Sequence, residues 1–331
     1  MNRDAGTAAD NPLVTIGITA YNAADTIARA VASARAQTWP CTEIVIVDDC
    51  SGDETPAVLK RLAAGPVDMR VFHQAANGGV AAARNRIVEE ARGAFIAFFD
   101  DDDTSVPERV ERQLARILAY ERDHAGGAPV VCHTARRQLF ADGSARIVPT
   151  MGIRADRPAP AGWAVAERVL IGSPLRGGYG ACAACSQMAR TSVFREFGGF
   201  DPAFRRGEDT DMAIRLAKAG AHFVGIEAAL VEQSMTATPD KSLSGERDFA
   251  LKLLEKHRDV PDRYGLFNFC REWIEAKHTW LEGRRAACLA RLLSLAVRHP
   301  SRTFLRLAAA MRNWGLNADF RRFHTRGPAA R

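Results

Sequence analysis

Residues 98–107 read FFDDDDTSVP and place four consecutive aspartates, Asp100 to Asp103, directly after an apolar run. The run FIAFF (95–99) is short and continuous, which is typical of a strand that is buried on both faces. Four like charges at the end of such a strand repel one another, and each is costly to bury without a partner. We therefore expect either a solvated turn here or a positively charged ligand held against the run.

The composition is that of an ordinary globular protein. The chain has 331 residues, of which 47% are hydrophobic and 25% are charged, and its net charge is only +6. This is enough for a large core and for more than one average domain. The seven cysteines are an odd number scattered along the chain, which argues against a disulfide framework. Because the N-terminus has no apolar signal segment, we expect a cytoplasmic protein.

Strands and helices alternate over the first 120 residues. Apolar runs predict four strands, at 13–18, 43–47, 69–72 and 95–99. Helical spacing predicts the helices between and after them, beginning after Asp25 as N-cap, at Thr55, at Val80 and at Pro107. This alternation predicts βαβ units and a mostly parallel sheet. Residues 126–200 are rich in Gly and Pro and allow few assignments, whereas a helix is predicted over 208–220 and further helices beyond 240.

Polar side chains follow three of the predicted strands. They are Thr19, Tyr21 and Asn22, then Asp48 and Asp49, then Asp100 to Asp103. Ligands bind at the carboxyl ends of the strands in such sheets, so we expect a site at this edge. Asp100 and Asp102 form an Asp-x-Asp pair whose side chains point the same way on extended backbone. Carboxylate oxygens suit Mg²⁺ or Mn²⁺, which often bind substrate phosphates as well.

Five segments resemble, in the right order, the signatures of family 2 glycosyltransferases. They read TIGITAYNAADTIARAVASARAQTW (15–39), EIVIVDDCSGDET (43–55), NGGVAAARN (77–85), FIAFFDDDDTSVP (95–107) and GGFDPAFRRGEDTDMAIRLAKAG (198–220). The resemblance implies the α/β GT-A fold, a Rossmann-like, nucleotide-binding, mostly parallel sheet flanked by helices, with a C-terminal helical appendage. The expected organisation is a disordered tail at 1–11, a GT-A domain at 12–235 and a helical, Arg-rich region at 236–331.

The resemblance also implies an activity. It would be an inverting, metal-dependent transfer of a sugar, preferably from a UDP-sugar, to a hydroxyl of a glycan or lipid-linked acceptor in cell-surface polysaccharide synthesis. The implied cofactor is Mn²⁺ or Mg²⁺. One alternative is another nucleotide-dependent transferase, which would be expected to have a Gly- and Lys-rich phosphate loop where this chain reads TAYNAAD (19–25). The other is a non-catalytic nucleotide- or glycan-binding relative, which would be expected to have lost Asp102 or Asp209.

The family's motifs, carried onto this sequence, imply the site residues. Asp209 in GEDTD is the implied catalytic base, with Glu208 in support, and Asp102, five residues before Pro107, is the implied metal ligand. The implied nucleotide-binding residues are Thr19, Ala20, Tyr21, Asn22, Asp49, Arg84, Asp100 and Asp101.

One position of the family's pattern has no match. Many relatives complete the metal shell with a histidine after the base region, but the corresponding stretch here, LVEQSMTATPDKS (230–242), contains none. Glu232 and water are the open candidates for that ligand.

Two further stretches have competing interpretations. Cys182 and Cys185 have CxxC spacing but no second pair, so we expect core packing rather than zinc or redox chemistry. The segment 292–315 alternates apolar residues with Arg at helical spacing. It predicts either a basic amphipathic helix in peripheral contact with the inner face of a membrane or a surface helix packed on the catalytic domain. No nucleic-acid-binding module is recognised, so no nucleic-acid partner is expected.

Overall fold

The computed structural model describes residues 11–64, 68–235 and 243–312. The chain divides into two compact units, of which the first comprises residues up to Val165 together with Leu175–Met235. The second comprises Ala166–Pro174 and the chain after Met235. Nearly all of the predicted disordered tail (1–11) and the last part of the Arg-rich region, from 313 onwards, lie outside the described residues.

The first unit is built from strands and helices in alternation. Its strands are β1 (Val14–Ala20), β2 (Thr42–Asp48), β3 (Met69–His73), β4 (Phe95–Asp100), β5 (Thr104–Ser105), β6 (Val130–Leu139), β7 (Ala145–Val148), β8 (Gln187–Arg190) and β9 (His222–Ser234). Its helices are α1 (Ile27–Arg35), α2 (Thr55–Ala63), α3 (Val80–Glu90), α4 (Arg109–Tyr120), α5 (Trp163–Leu170), which ends in the second unit, α6 (Thr191–Glu196) and α7 (Glu208–Lys218). A π-helical turn (Glu121–Ala125) follows α4, and a 3₁₀ turn (Ala184–Ser186) precedes β8.

These strands form one sheet in the order β3-β2-β1-β4-β8-β6-β9-β5, with β7 beside β6. The half made of β3, β2, β1 and β4 is entirely parallel, as the alternation of strands and helices predicts. In the other half β8 runs antiparallel to both β4 and β6, whereas β6 and β9 are parallel. This mixed half comes largely from 126–200, where the sequence periodicity was too weak to place strands.

Successive side chains of each strand lie on opposite faces of the sheet in the first unit. Phe99 lies in the main core, where strand residues pack against the apolar sides of α1, α2 and α4. Phe98 points to the other face and makes edge-to-face contacts with Phe194 and Phe200. On that face α3 approaches β1 so closely that a Cβ at Gly17 would lie 2.4 Å from a side-chain carbon of α3.

The start of α1 differs from the prediction. Asp25 was predicted to cap this helix, but α1 begins at Ile27 and no side-chain cap hydrogen bond is present at its N-terminus. The backbone N–H of Ala23 instead donates to Oγ1 of Thr55 at 2.7 Å. Contacts with the loop after β2 therefore fix this turn, and they override the local capping signal.

The second unit is helical. Its further helices are α8 (Leu243–Lys256), α9 (Asp259–Asp262), α10 (Phe267–Leu281), α11 (Arg285–Arg298) and α12 (Pro300–Arg312). Buried residues of this unit include Leu254, Cys270, Cys288 and Leu295. Among the described residues, no helix combines the length and the apolar character needed to cross a bilayer.

Candidate active site

The loop after β1 presents an aromatic ring at the carboxyl edge of the sheet. Thr19 and Ala20 are buried at the end of β1, whereas the side chain of Tyr21 is 50% exposed. The backbone N–H of Tyr21 donates to Oδ2 of Asp101 at 2.9 Å. Asn22 has a left-handed φ of 49°, and its Oδ1 accepts a backbone N–H from the loop after β2. These bonds join three loops and leave a flat ring on which a planar group can stack.

Asp49 orders the loop that leads into α3. Its carboxylate accepts the backbone N–H groups of Gly78 and Gly79 at 2.8 and 2.7 Å, and the side-chain amide of Gln74 at 2.5 Å. The residue is 4% exposed. These donors take up much of the hydrogen-bonding capacity of the carboxylate. The predicted contact between Asp49 and a nucleotide stays a prediction.

The four aspartates at the end of β4 and directly after it differ in their exposure to solvent. Asp103 is 4% exposed; its Oδ1 accepts the N–H of Ser234 at 2.9 Å, and its Oδ2 has no hydrogen-bond partner among the described residues. Burial and the charges of Asp100 and Asp102 raise the pKa of Asp103 to about 8. Burial likewise raises the pKa of Asp101 to about 7. The run is therefore no simple solvated turn, because two of its carboxyl groups lie where ionisation costs free energy.

A buried guanidinium connects the aspartate run to the first turn of α7. Arg84 is 4% exposed, and its Nη2 and Nη1 donate to Asp100 at 3.1 Å and to Glu208 at 2.5 Å. It also lies over the rings of Phe98 and Phe200. Burial disfavours the charged guanidinium, but the charges of Asp100 and Glu208 prevail and raise the pKa of Arg84. Arg84 was predicted to approach a nucleotide; in the structure, these donors point to protein carboxylates.

Asp209 lies beside this connection, in the first turn of α7. The turn begins after Gly207, whose φ of 77° is in the left-handed region. Oδ1 of Asp209 accepts the backbone N–H of Thr210 at 2.6 Å, and the side chain is partly exposed. Burial raises the pKa of the neighbouring Cys182 thiol to about 12, and the charge of Asp209 adds to this shift. The predicted base is thus held in place and open to solvent.

Two arginines that the sequence did not single out lie near the aspartate run. Arg109 is fully buried, donates to the carbonyl of Phe98 at 2.8 Å and bonds to Gln113, four residues further along α4. Arg136 on β6 is 7% exposed and lowers the pKa of Asp103, which opposes the effect of burial. The sequence could have pointed to Arg109, because Arg109 and Gln113 are polar residues within the apolar stripe of α4. Arg136 lies in the stretch that gave no periodic signal.

The buried carboxylates fit a hard divalent cation. Ligand atoms of Asp100, Asp103 and Cys185 lie within 4.8 Å of one another. The unpartnered Oδ2 of Asp103 provides an open oxygen ligand, and Mg²⁺ and Mn²⁺ prefer oxygen. Burial raises the pKa of the Cys185 thiol, so it stays protonated at neutral pH. Asp102, the predicted metal ligand, adjoins this group, and its backbone carbonyl accepts a hydrogen bond from Arg29.

The structure bears on two questions left open by the sequence: which group completes the metal shell, and what Cys182 and Cys185 do. Glu232 forms an ion pair with Arg137 at 2.6 Å, and the group of ligand atoms found in the described residues does not include it. Residues 236–242, part of the stretch without a histidine, lie outside the described residues. Cys182 and Cys185 are free thiols, and Cys185 is buried.

The comparison with known families identifies the chain. A family model described as "Glycosyl transferase family 2" matches residues 15–190, just over half of the chain. The chain belongs to glycosyltransferase family 2. The recognition made from the ordered signatures is thereby confirmed.

Curated relatives match this family 2 chain over part of their length. The succinoglycan biosynthesis protein ExoO of Rhizobium meliloti (strain 1021) is 43% identical over 119 residues, which are 36% of this chain and 32% of that protein. The chondroitin synthase of Pasteurella multocida (strain Pm70) is 40% identical over 107 residues, which are 32% of this chain and 11% of that protein. The matches therefore span a third or less of each of these relatives.

Solved structures match over most of the chain. The mannosyltransferase PcManGT from Pyrobaculum calidifontis, in complex with GDP-Man and Mn²⁺, gives a TM-score of 0.59 at 15% identity and covers 96% of this chain and 87% of that one. S. aureus TarS 1–349 in complex with UDP-GlcNAc gives 0.55 at 16% identity, with 95% and 90% covered. At such identities the likeness shows the fold. The predicted GT-A architecture with a C-terminal helical region is confirmed.

Proposed function

We propose that this family 2 chain is an inverting glycosyltransferase that uses Mn²⁺ or Mg²⁺ to move a sugar from a nucleotide-sugar donor to an acceptor hydroxyl. The observation that carries the proposal is the aspartate run at the carboxyl edge of the sheet. Asp103 of this run is buried, and Arg84 ties Asp100 to Glu208, the neighbour of Asp209. These contacts support one site that contains both a cation-binding set and a proton acceptor.

The donor nucleotide binds, in this proposal, across the loops after β1, β2 and β4. The exposed ring of Tyr21 supports the base by stacking. Thr19 and Ala20, at the end of β1, and Asn22, in the loop after it, lie next to Tyr21 in the chain. Asp49 contacts the base or holds the loop beside it. Neighbours in complex with GDP-Man and UDP-GlcNAc support a nucleotide-sugar donor, and we favour a UDP-sugar for this chain.

The carboxylates of Asp102, Asp100 and Asp103 would hold the divalent cation, with Asp101 supporting the loop. When bound, such a cation supplies positive charge opposite the diphosphate that leaves the sugar. Burial raises the pKa of Asp101 and of Asp103, and the charges of neighbouring aspartates add to both shifts. A divalent cation held by these carboxylates would offset the repulsion within the run.

Asp209 acts as the general base. Its carboxylate accepts the proton of an acceptor hydroxyl while the hydroxyl oxygen attacks the anomeric carbon, on the face opposite the bond to the leaving diphosphate. The new bond forms as the bond to the diphosphate breaks, so the configuration at that carbon inverts. Arg84 donates to Glu208 and partly offsets the rise that burial and Asp209 cause in the pKa of Glu208, and this contact keeps the first turn of α7 in register with the end of β4.

The acceptor is, in this proposal, a glycan or a lipid-linked glycan in the synthesis of a cell-surface polysaccharide. Relatives named for succinoglycan biosynthesis and chondroitin synthesis support that class of product. The free thiols of the chain fit a reaction in the reducing cytoplasm. A lipid-linked acceptor would bring the protein to the inner face of the membrane.

The test is an assay of the products formed from a panel of UDP-, GDP-, dTDP- and CDP-sugars with Mn²⁺ or EDTA. We expect release of one nucleoside diphosphate, faster with oligosaccharide acceptors, and an inverted anomeric configuration in the product by NMR. Release of a nucleoside monophosphate, from cleavage within the diphosphate, would favour another nucleotide-dependent transferase. Binding of a nucleotide without release of any product from any donor would favour a non-catalytic relative.

A further inference from the structure

Helix α11 has apolar side chains on its exposed side as well as on its buried side. Its buried residues are Cys288 and Leu295. Leu289, Leu293 and Val297, spaced four residues apart on one stripe, are 59%, 59% and 84% exposed. A surface helix of a globular protein normally turns a polar stripe outwards. The outward face of α11 therefore carries an exposed apolar stripe.

Helix α12 also exposes large apolar side chains. Phe304, Leu307 and Met311 share one face and are 69%, 36% and 64% exposed. In the other direction, Thr303 is buried, and Arg306 donates to the carbonyl of Leu170 within the same unit. Two consecutive helices thus expose large apolar side chains, and α12 also directs polar side chains towards the inside of the unit.

The charge of these helices is of one sign. Residues 285–312 contain six arginines and no Asp or Glu. Arg285 and Arg298, the first and last residues of α11, are both exposed. Helices α8 and α10 of the same unit carry both acidic and basic residues, so the absence of acids is specific to α11 and α12.

We propose that the outward faces of α11 and α12 form a docking surface for an anionic lipid bilayer. Amphipathic helices with an apolar face and flanking arginines lie in the membrane interface, where apolar side chains enter the acyl boundary and guanidinium groups meet lipid phosphates. The membrane contact expected from the sequence thereby receives specific residues and a specific class of lipid. We call these outward faces the lipid-docking surface. It stands on the helical unit alone and does not depend on the proposed transfer activity.

A second copy of the chain is a poorer occupant of the same faces. Pairing two copies through them would bring exposed arginines such as Arg285 and Arg298 together, and neither α11 nor α12 contains an acid to neutralise them. A bilayer containing anionic lipid supplies the missing negative charge over the whole surface.

The experiment is co-sedimentation of the full chain with vesicles of phosphatidylcholine alone, or of phosphatidylcholine and phosphatidylglycerol in equal parts. We expect binding to the anionic vesicles that weakens as salt is raised, because salt screens the arginines. The double variant Leu293→Glu/Val297→Glu places charge on the apolar stripe and should weaken binding at least about tenfold. Arg285→Glu/Arg298→Glu should weaken it for anionic vesicles.

A matched control is Ile147→Glu, which places the same charge on an apolar side chain that is 55% exposed in the first unit. It should bind anionic vesicles like the unmodified chain. Failure of the unmodified chain to sediment with either vesicle would overturn the proposal, as would unchanged binding by Leu293→Glu/Val297→Glu. A dimer seen by light scattering and lost in that variant, without vesicle binding, would instead assign the faces to a second copy.

Discussion

The carboxyl edge of the sheet and the lipid-docking surface depart from ordinary burial in opposite directions. At the edge, ionisable groups such as Arg84 and Asp103 are buried at 4% exposure. On the docking surface, large apolar side chains such as Val297 are exposed instead. Buried charge and exposed apolar surface are both unfavourable in isolation. Residues that break the burial rules are found mainly where a ligand or partner stabilises them. Buried charge therefore indicates a polar ligand site at the sheet edge, and exposed apolar side chains indicate an apolar contact site on α11 and α12.

The largest effect is expected at the proposed base. Asp209→Asn removes the proton acceptor but keeps the shape of the side chain, so kcat should fall by about 10²–10⁴. Binding of the donor should be nearly unchanged, because Asp209 is not assigned to the nucleotide. Steady-state kinetics together with calorimetric titration of the donor nucleotide would measure both quantities. As a control, Glu227→Gln changes an exposed acid on β9 and should retain kcat. Full activity of Asp209→Asn would place the base elsewhere.

A buried charge pair and an exposed one can be compared on the same helix. Arg84→Ala leaves Glu208 buried without its partner and should lower the free energy of unfolding by about 3–5 kcal/mol. Arg86→Ala removes a more exposed pair with Glu90, and that change should cost at most about 1 kcal/mol. Urea unfolding of both variants measures the difference. Equal stability losses would mean that Arg84 does not hold the site together.

Two leucines of α11 test whether its outward face is free. Leu295 is fully buried, and Leu295→Ala should cost about 2–5 kcal/mol in the free energy of unfolding. Leu293 is 59% exposed, and Leu293→Ala should change the stability by no more than about 0.5 kcal/mol. Thermal unfolding without vesicles provides the comparison. A large loss in Leu293→Ala would show that protein already covers this face.

The smallest effect is a pH dependence that Asp103 imposes on the metal-free protein. Its pKa is about 8 in the folded state and about 4 for a free aspartate, so the folded state keeps a proton that the unfolded chain releases. This contribution to stability is complete below the unfolded pKa and is lost as pH rises through the folded pKa. In EDTA, the folded protein should therefore lose stability as the pH rises between these values.

Thermal unfolding in EDTA over this pH range would measure the slope. Asp103→Asn should remove this share of the slope, and Mn²⁺ should reduce it near neutral pH because bound metal favours the ionised carboxylate. Asp68→Asn, at an exposed aspartate, serves as the control and should leave the slope in place. An Asp103→Asn variant with an unchanged slope would show that Asp103 is ionised in the metal-free fold.

The sequence predicted the parallel half of the sheet because β1, β2 and β4 are continuous apolar runs that end in polar residues. The convergence of Tyr21 and the aspartate run at one edge then followed from the rule for parallel strands. The structure bears this out directly, since the N–H of Tyr21 reaches Asp101 across 80 residues of chain. Family membership followed from the order of the signatures, which depends on no tertiary contact.

The remainder depends on contacts between distant residues that periodicity does not encode. Asp103 is buried against Ser234, 131 residues away, and Arg84 reaches Glu208 across 124 residues. Sequence reasoning therefore grouped the four aspartates but could not separate the buried ones from the others. The exposure of apolar side chains on α11 and α12 escaped it for the same reason, because an amphipathic pattern does not say which side is outside.

The most direct test of the proposed site is calorimetric titration of UDP, GDP, dTDP and CDP, with Mn²⁺ and with EDTA. The chain and its Asp102→Asn variant should be titrated side by side, with Asp68→Asn as an exposed control. We predict Mn²⁺-dependent binding of one of these nucleotides, weakened at least about tenfold by Asp102→Asn and unchanged by the control. Binding that needs neither Mn²⁺ nor Asp102, or no binding of any nucleotide, would contradict the account of the aspartate run as a metal and donor site.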